Sequence, residues 1–190
     1  LYGALANQYF VLFNNDIAAA ITANGRYTNK HMAFAVDDFL KSKLPSKKPY
    51  LVYGDTDSFY LTIDNYVRAK ETKTPNMSLE DKINFSDNVC EKIIQPFINN
   101  TTDIIGETLN VVEKDAMSMD REIIADSGIF ISKKRYITRV RDNEGVRLKE
   151  PKKKVMGLEL VRSSTPMFCR KYLKESIDIL LDGNESDLQT

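Results

Sequence analysis

The sequence is poor in residues that form disulfides or bind zinc. Its 190 residues include two cysteines and one histidine. Cys90 and Cys169 lie far apart, and neither belongs to a Cys-x-x-Cys pair. Disulfide frameworks and zinc sites need several such residues at short spacings. The composition therefore argues against both kinds of site, and it favours an ordinary packing or surface role for His31.

The sequence also lacks net charge and long apolar runs. Lysine and arginine number 27, as do aspartate and glutamate, so the formal charge is zero. Because bulk charge supplies no general attraction to phosphate, any nucleic-acid surface must be a local basic patch. No apolar run approaches the length of about 18 residues that a membrane span needs, and the amino terminus does not resemble a signal peptide. We expect a soluble, intracellular chain.

The most informative stretch lies near position 55. Two β-prone apolar runs, residues 51–53 and 59–63, flank the sequence Gly-Asp-Thr-Asp-Ser. Glycine, aspartate and serine are turn formers, so the pattern predicts a tight β-hairpin. The turn carries two carboxylates, Asp55 and Asp57, two positions apart.

Two carboxylates at a hairpin tip repel each other unless a cation lies between them. The pattern therefore suits Mg²⁺ or Mn²⁺, which prefer carboxylate and phosphate oxygens. Such ions are the working unit of two-metal nucleotidyl transfer. The alternative is that Asp55 and Asp57 are ordinary turn residues, since a bare Asp-x-Asp in a loop is commonly structural.

Helices are predicted before this hairpin. Asn14, Asn15 and Asp16 offer amino-terminal caps for a helix from about Ile17 to Lys41. The core-facing stripe of this helix is expected to comprise Ile17, Ala20, Ile21, Asn24, Tyr27, Thr28, His31, Phe34, Ala35, Asp38 and Phe39.

The segments around this long helix give further predictions. Residues 9–13 are apolar and partly aromatic, which fits an extended segment, and residues 64–76 are polar and predict a turn-rich connection. Ser78 is predicted to begin a helix. Pro96 is expected to break or kink that helix before a second helical segment that reaches Leu109.

Strands are predicted from Val111 onward. If residues 116–124 form a strand, Asp120 and Glu122 project from the same face, because side chains alternate along a strand. Two acids on one face need a basic partner or a metal, and a structural salt bridge is the default interpretation.

Basic residues are concentrated in the same part of the chain. Residues 128–140 predict a strand that contains Lys133, Lys134 and Arg135, and these cations must face solvent or phosphates. A charged edge strand and a DNA contact both remain open. Residues 152–154 are three lysines, for which a solvated face is the default and a DNA-backbone contact the alternative. A final helix follows Pro166.

These motifs resemble those of one family. Tyr-Gly-Asp-Thr-Asp-Ser at 53–58 looks like the third polymerase motif of the family B DNA polymerases. Tyr2-Gly3 resembles the end of the second motif, and Lys-Lys-Arg-Tyr at 133–136 is similar to an element that holds the primer-template. Met-Asp-Arg-Glu at 119–122 resembles a segment beside the catalytic hairpin in phage-type members. The motifs occur in the family's order.

The resemblance implies a fold and a reaction. The fold would be an α+β polymerase palm, with an antiparallel sheet, a metal-binding β-hairpin at its centre and helices on one face. Residues 1–14 would end the fingers, 15–155 would form the palm and 156–190 would begin the thumb. The reaction would be template-directed addition of a deoxynucleotide to a primer 3′-hydroxyl.

The resemblance also assigns site residues. The catalytic residues would be Asp55, Asp57 and Glu122, with Asp57 the principal ligand of two Mg²⁺ ions, Asp55 beside it, and Mn²⁺ as a substitute. The nucleotide would meet Tyr2 and Thr56, and the supporting residues would be Asp120 and Ser58. DNA would be held by Gly3, Lys133, Lys134, Arg135 and Tyr136. The partners would be primer-template DNA, dNTPs and the remainder of the polymerase, in the cytoplasm of a bacterial host if the source is a phage.

The sequence departs from the family pattern at two places. The first motif, Asp-x-x-Ser-Leu-Tyr-Pro-Ser, with its essential aspartate, does not occur, and neither does the fingers lysine of the second motif. The chain starts at Leu1 without a methionine, so we expect a piece of a longer protein that is inactive alone. Another carboxylate-based nucleotidyltransferase and a non-catalytic DNA-binding module are the alternatives.

Overall fold

The computed structural model describes residues 2–113, 117–161 and 164–182, apart from the side chains of Tyr2, Leu160 and Asp182. The chain divides into two compact units, with the boundary between Asp120 and Arg121. Each unit mixes helices with an antiparallel sheet, as expected for an α+β chain. In the described ranges, no helix combines the length and the apolar character needed to cross a membrane.

The first unit is mostly helical. Its helices are α1 (Tyr2–Leu5), α2 (Asn15–Lys43), α3 (Asp64–Lys73), α4 (Leu79–Val89) and α5 (Gln95–Thr108). A π-helical turn, Cys90–Ile94, joins α4 to α5. Its strands are β1 (Leu51–Gly54) and β2 (Phe59–Leu61), which pair antiparallel.

Helix α2 is the longest element of this unit. The side chain of Asn14 accepts a hydrogen bond from the Ile17 backbone N–H at 3.0 Å and so caps the helix, as predicted. Its buried side chains are Ala18, Asn29, Met32, Ala33, Val36, Asp37 and Leu40. Met32, Val36 and Leu40 pack in one core with Ile98 and Ile105 of α5.

The predicted core stripe of α2 is wrong. Ile21 and Phe34, which it included, are exposed, and the true buried stripe includes the polar Asn29 and Asp37. The predicted stripe lies on the neighbouring face because it follows the large apolar side chains Ile17, Ile21 and Phe34, all of which are exposed. The side chains of Asn29 and Asp37 are buried because they form hydrogen bonds with the hairpin.

Two further predictions for this unit are wrong. Residues 9–13 are not extended but form successive turns, closed by backbone hydrogen bonds such as Phe13 N–H to Phe10 C=O at 2.9 Å. Residues 64–73 are helical. That helix buries none of its side chains, so it has no apolar stripe to reveal it, and Asp64 and Arg68 form an i,i+4 ion pair on its surface.

The helix start at Ser78 is confirmed. Ser78 and Asp81 form a reciprocal capping box. Pro96 follows the π-helical turn, in which the Gln95 backbone N–H donates to the Cys90 carbonyl. The wider turn lies next to the proline that cannot donate, so the helical path is disturbed near Pro96 without being interrupted.

The second unit is a three-stranded antiparallel sheet with one long helix. The strands are β3 (Ile123–Ser132), β4 (Arg135–Asn143) and β5 (Val146–Met156), with β4 in the middle. A 3₁₀ turn, Glu159–Val161, precedes helix α6 (Met167–Asp182). The core consists of Ile137, Leu158, Ile177 and Leu181.

The strands of the two units belong to separate sheets. The described residues contain a two-stranded sheet, β1-β2, and a three-stranded sheet, β3-β4-β5. The predicted antiparallel pairing is therefore confirmed. The strands do not pair into one sheet with the hairpin at its centre, which was also predicted. A strand as short as β2, with three residues, offers little ladder to a third strand.

Buried carboxylates hold the second unit together. Asp142, at 0% exposure, is paired with Arg121 and Arg147 and accepts the Gly145 backbone N–H at 3.0 Å. Asp126 accepts from the Nε atoms of Arg139 at 2.7 Å and Arg141 at 2.6 Å. Burial acts to raise the pKa of Asp142, but the hydrogen bonds from Arg121 and Gly145 and the two arginine charges outweigh burial and lower that pKa.

Replacing Asp142 with asparagine is expected to destabilise the second unit by about 3–5 kcal/mol near neutral pH, because two half-buried arginines lose the fully buried carboxylate that pairs with both of them. The pKa of Asp142 is lowered from 3.8 in the folded state. Its stabilisation is therefore present above that ordinary value and is lost as the pH falls through the folded pKa. Urea unfolding followed by the amide signals of β3–β5 measures both effects.

The exposed Glu150 of the same sheet supplies the control. Glu150→Gln should change the free energy of unfolding by no more than about 0.5 kcal/mol. Equal losses in the two variants would contradict the role of Asp142.

Candidate active site

The acidic hairpin is built as the sequence predicts. Tyr53 pairs with Tyr60 and Gly54 with Phe59, and the Asp55 backbone N–H donates to the Ser58 carbonyl at 2.8 Å. Residues 55–58 therefore form the turn.

The two carboxylates of the turn have different surroundings. Asp55 is half-buried, and its Oδ1 accepts from the Thr56 backbone N–H at 2.9 Å and from the Thr56 hydroxyl at 3.3 Å. Asp57 is exposed, and among the described residues it has no hydrogen-bond or ion-pair partner. Ser58 is also exposed. Asp57 is thus available to an external ligand, while part of the Asp55 carboxylate is occupied within the turn.

The carboxylates of Asp55 and Asp57 are the kind of ligand that a hard divalent cation prefers, but two carboxylates are few for a complete site. Carboxylate oxygens are preferred ligands of Mg²⁺ and Mn²⁺. Across residues 2–113, 117–161 and 164–182, no three acidic, histidine or cysteine side chains come together in a way that could hold a metal ion. The hairpin therefore offers two carboxylates, and further ligands would have to come from substrate, water or another part of a larger protein.

Helix α2 fixes the hairpin through two buried polar side chains. The Asp37 carboxylate accepts from the backbone N–H groups of Tyr50 at 2.6 Å and Leu51 at 3.0 Å, where β1 begins. Its other oxygen is paired with Lys41 at 2.6 Å. Asn29 donates from Nδ2 to the carbonyls of Asp55 at 2.5 Å and Ser58 at 3.1 Å.

These contacts also shift two pKa values. Burial acts to raise the pKa of Asp37, but the hydrogen bonds from Lys41, Leu51 and Tyr50 outweigh burial and lower that pKa. The hydrogen bond to Asp37 raises the pKa of Lys41. Asn29 and Asp37 are site-building residues that were not predicted from the sequence. The available signal was their spacing from Met32, Val36 and Leu40, which places two polar side chains on the apolar stripe.

Asp120 and Glu122 do not share a strand face. Both precede β3 and are exposed, because β3 begins only at Ile123. Glu122 is paired with Lys154 at 2.8 Å, and its carbonyl accepts the Glu144 backbone N–H at 2.6 Å. The predicted common strand face is therefore wrong, and the default expectation of a salt bridge holds for Glu122.

The cations at 133–135 do not lie within one strand. Lys133 and Lys134 form the turn between β3 and β4, and Lys134 has a positive φ of 60°. Ser132 pairs with Arg135, and a register irregularity lies between Phe130 and Ser132. The change of direction places the two exposed lysines at a hairpin tip, which the unbroken β-prone sequence concealed.

Arg135 and Tyr136 are less exposed than these lysines. Arg135 donates from Nη2 to both carboxylate oxygens of Glu159, at 2.9 and 2.8 Å. Tyr136 is buried, with its ring stacked on Phe130 at a centroid distance of 5.5 Å. The four-residue element is therefore two exposed lysines followed by an ion-paired arginine and a packed tyrosine.

The three lysines at 152–154 lie on β5. Lys153 is paired with Asp178 of α6, and Lys154 with Glu122. Partial desolvation, and then the positive charges of Lys174 and Arg139, lower the pKa of Lys153. Two of the three lysines are thus neutralised within the unit.

Two predicted nucleic-acid residues belong to α1. Gly3 is exposed in that short helix. The side chain of Tyr2 lies outside the described residues.

Comparisons with known proteins relate the whole chain to phage enzymes. It is 34% identical, over 97% of its length, to the DNA-directed DNA polymerase of Escherichia phage RB69. It is 31% identical, over all of its length, to the DNA-directed DNA polymerase of Enterobacteria phage T4. The aligned regions are 21% and 22% of those proteins, so the chain spans about a fifth of the relatives it matches. No protein-family model matches the chain.

One glycine determines how the lysine turn is packed. Gly157 has a φ of +65°, and a Cβ at that position would overlap the Lys134 carbonyl and lie 3.2 Å from Arg135 Cγ. The chain after β5 therefore passes directly against the backbone of the turn, and only glycine fits there.

Gly157→Ala is expected to destabilise the second unit by about 2–5 kcal/mol, from overpacking and left-handed backbone strain together. It should also shift the amide signals of Lys133 to Tyr136. Urea unfolding and NMR spectra measure the two effects.

Gly145→Ala is the matched control. Gly145 has a φ of +84°, but a Cβ there would meet nothing within 4 Å. It should cost only the strain, about 1–2 kcal/mol, and leave the turn signals in place. Equal effects at both glycines would show that the contact with Lys134 is unimportant.

Proposed function

We propose that this chain, a relative of one segment of the phage DNA-directed DNA polymerases, contributes the acidic hairpin to the nucleotidyl-transfer centre of such an enzyme. The observation that carries the proposal is the exposed Asp57, which has no partner among the described residues, on a hairpin tied to α2. The reaction would join the primer 3′-oxygen to the α-phosphorus of a dNTP and release pyrophosphate.

The carboxylates of the hairpin would hold the catalytic cations. Two Mg²⁺ ions, or Mn²⁺ in their place, would lower the pKa of the 3′-hydroxyl and neutralise charge on the phosphates. Asp57 is the principal ligand in this proposal because its carboxylate is open. Asp55 is secondary because Thr56 already occupies one of its oxygens. Ser58 would support the turn, and Thr56 and Tyr2 would meet the nucleotide, as the resemblance implies.

The second unit would hold the primer-template. Lys133 and Lys134 at an exposed turn can meet phosphates, and the resemblance assigns minor-groove contacts to the whole element 133–136 and a DNA contact to Gly3. Glu122 would act through water, with Asp120 in support. The pairing of Glu122 with Lys154 means that this role requires the carboxylate to exchange or share its lysine.

The proposal places the chain within a larger enzyme. It assigns residues 1–14 to the end of the fingers, 15–155 to a family B palm and 156–190 to the start of the thumb. The remainder of the polymerase would supply the first-motif aspartate and the fingers lysine, in the same polypeptide or in a partner chain. The site of action would be the cytoplasm of the bacterial host.

The 190-residue chain alone is expected to extend no primer. Without the first-motif aspartate, several kcal/mol of transition-state stabilisation are lost, which is a rate loss of about a thousandfold or more. Primer extension with Mg²⁺ and with Mn²⁺ measures this. Metal-dependent incorporation that disappears in Asp57→Ala would contradict the expected inactivity.

Metal binding can be tested without activity. Mn²⁺ added to the ¹⁵N-labelled chain should broaden the amide signals of residues 55–58 first, because paramagnetic broadening reports weak binding close to the ion. Asp57→Asn should remove most of this broadening, since it removes the open carboxylate. Asp103→Asn, at an exposed aspartate of the same unit, should leave it unchanged.

The result also separates the proposal from a non-catalytic DNA-binding module. If broadening is the same in the unmodified chain and in Asp57→Asn, the acids of the turn are structural and the proposal fails.

A further inference from the structure

The acidic turn has a second support that its own sequence does not reveal. Asn29, in the middle of α2, is only 4% exposed. Its Nδ2 atom donates to the carbonyls of Asp55 and Ser58, at 2.5 and 3.1 Å. These residues are the first and last of the turn that carries Asp57. One side chain therefore binds both ends of the turn.

The chemistry of these contacts is specific to an amide. A side-chain NH₂ group has two hydrogens, so one nitrogen can donate to two carbonyls at once. The reversed amide would place Oδ1 against two acceptor oxygens, so the hydrogen-bond network fixes the orientation. A carboxylate at this position would repel both carbonyls, and an apolar side chain would leave them without these donors.

This orientation of the Asn29 amide leaves its oxygen buried without a hydrogen bond, which is unfavourable for stability. The Oδ1 atom of Asn29 is buried and has no hydrogen-bond partner. A buried acceptor without a partner is unfavourable, and native structures contain few of them. A side chain selected only for stability at this depth would be apolar, like Met32 and Val36 on the same stripe.

The contacts make the turn part of one network with α2. The Ser58 carbonyl accepts from both Asn29 and the Asp55 backbone N–H. At the other end of β1, Asp37 holds the backbone N–H groups of Tyr50 and Leu51. The helix thus restrains β1 at its start and at the turn.

We infer that Asn29 is a positioning residue, which holds the turn in the geometry that lets Asp57 and Asp55 receive a divalent cation. This inference rests on the proposed function of the hairpin. Asn29 itself supplies no ligand in it: the side chain acts through the carbonyls of Asp55 and Ser58. Partners of this kind, one step removed from a metal, commonly change metal affinity by about 10- to 100-fold.

Asn29→Leu tests the inference, because leucine matches asparagine heavy atom for heavy atom and removes both the donors and the unpartnered oxygen. The variant is expected to remain folded, with only a modest loss of stability in urea unfolding because two carbonyls lose their donors, and to lose about tenfold or more in Mn²⁺ affinity, measured by broadening at residues 55–58. The Asp55 amide should exchange its hydrogen at least several-fold faster.

Asn24→Leu is the matched control, since Asn24 is an exposed asparagine of the same helix. It should leave Mn²⁺ affinity and amide exchange unchanged. An Asn29→Leu variant that loses stability but keeps its Mn²⁺ affinity would overturn the inference, because the contact would then be structural only.

Two further results keep the inference distinct from the proposed function. If Asp57→Asn abolishes broadening and Asn29→Leu does not, only the inference fails; if Asp57→Asn has no effect, the proposed function fails first. If the Asn29→Leu variant does not fold, hydrogen exchange of the unmodified chain tests the inference instead. The Asn29 side-chain NH₂ should exchange slowly and slow further with Mg²⁺, and exchange at the rate of an exposed asparagine would overturn the inference.

Discussion

The short hairpin depends on being bonded to a long helix. Strands of four and three residues form too few ladder hydrogen bonds to persist alone in water. Helix α2 supplies what the ladder lacks, through the Asp37 carboxylate at the start of β1 and the Asn29 amide at the turn. The apolar side chains between these two positions anchor the helix to α5. The acidic turn therefore owes its shape to a buried helix stripe that is partly polar.

The second unit is held together by ion pairs between buried carboxylates and arginines. Its sheet carries many charged side chains, and the buried Asp142 and half-buried arginines can coexist only as a connected ion-pair network. The turn that joins β4 to β5 is tied into this network through the Gly145 N–H. A chain with zero formal charge thus has strongly charged local structure, and its overall composition conceals that arrangement.

The sequence predicts elements well where the local pattern and the tertiary packing agree. The hairpin at 51–61, the Asn14 cap and the capping box at Ser78 follow from local chemistry, and all three are present. Helix α3 was missed because its sequence is mostly polar and none of its residues is fully buried, and the stripe of α2 was misplaced because the large apolar side chains that suggested it are exposed. The turn at Lys133 and Lys134 was missed because neither residue is a turn former. For the candidate site, the sequence identified the acids but could not identify the distant Asn29, whose partners are backbone atoms.

The Arg135–Glu159 pair has a consequence for the thermodynamics of any nucleic-acid complex. A cation that binds a phosphate normally releases condensed counterions from the nucleic acid, and this release makes affinity fall with salt. Arg135 already holds a carboxylate with two hydrogen bonds, and Lys153 and Lys154 are ion-paired with Asp178 and Glu122. A phosphate would have to replace an internal anion, which remains tethered beside the site as a competitor. The salt dependence of binding would then reflect fewer cations than the basic sequence contains.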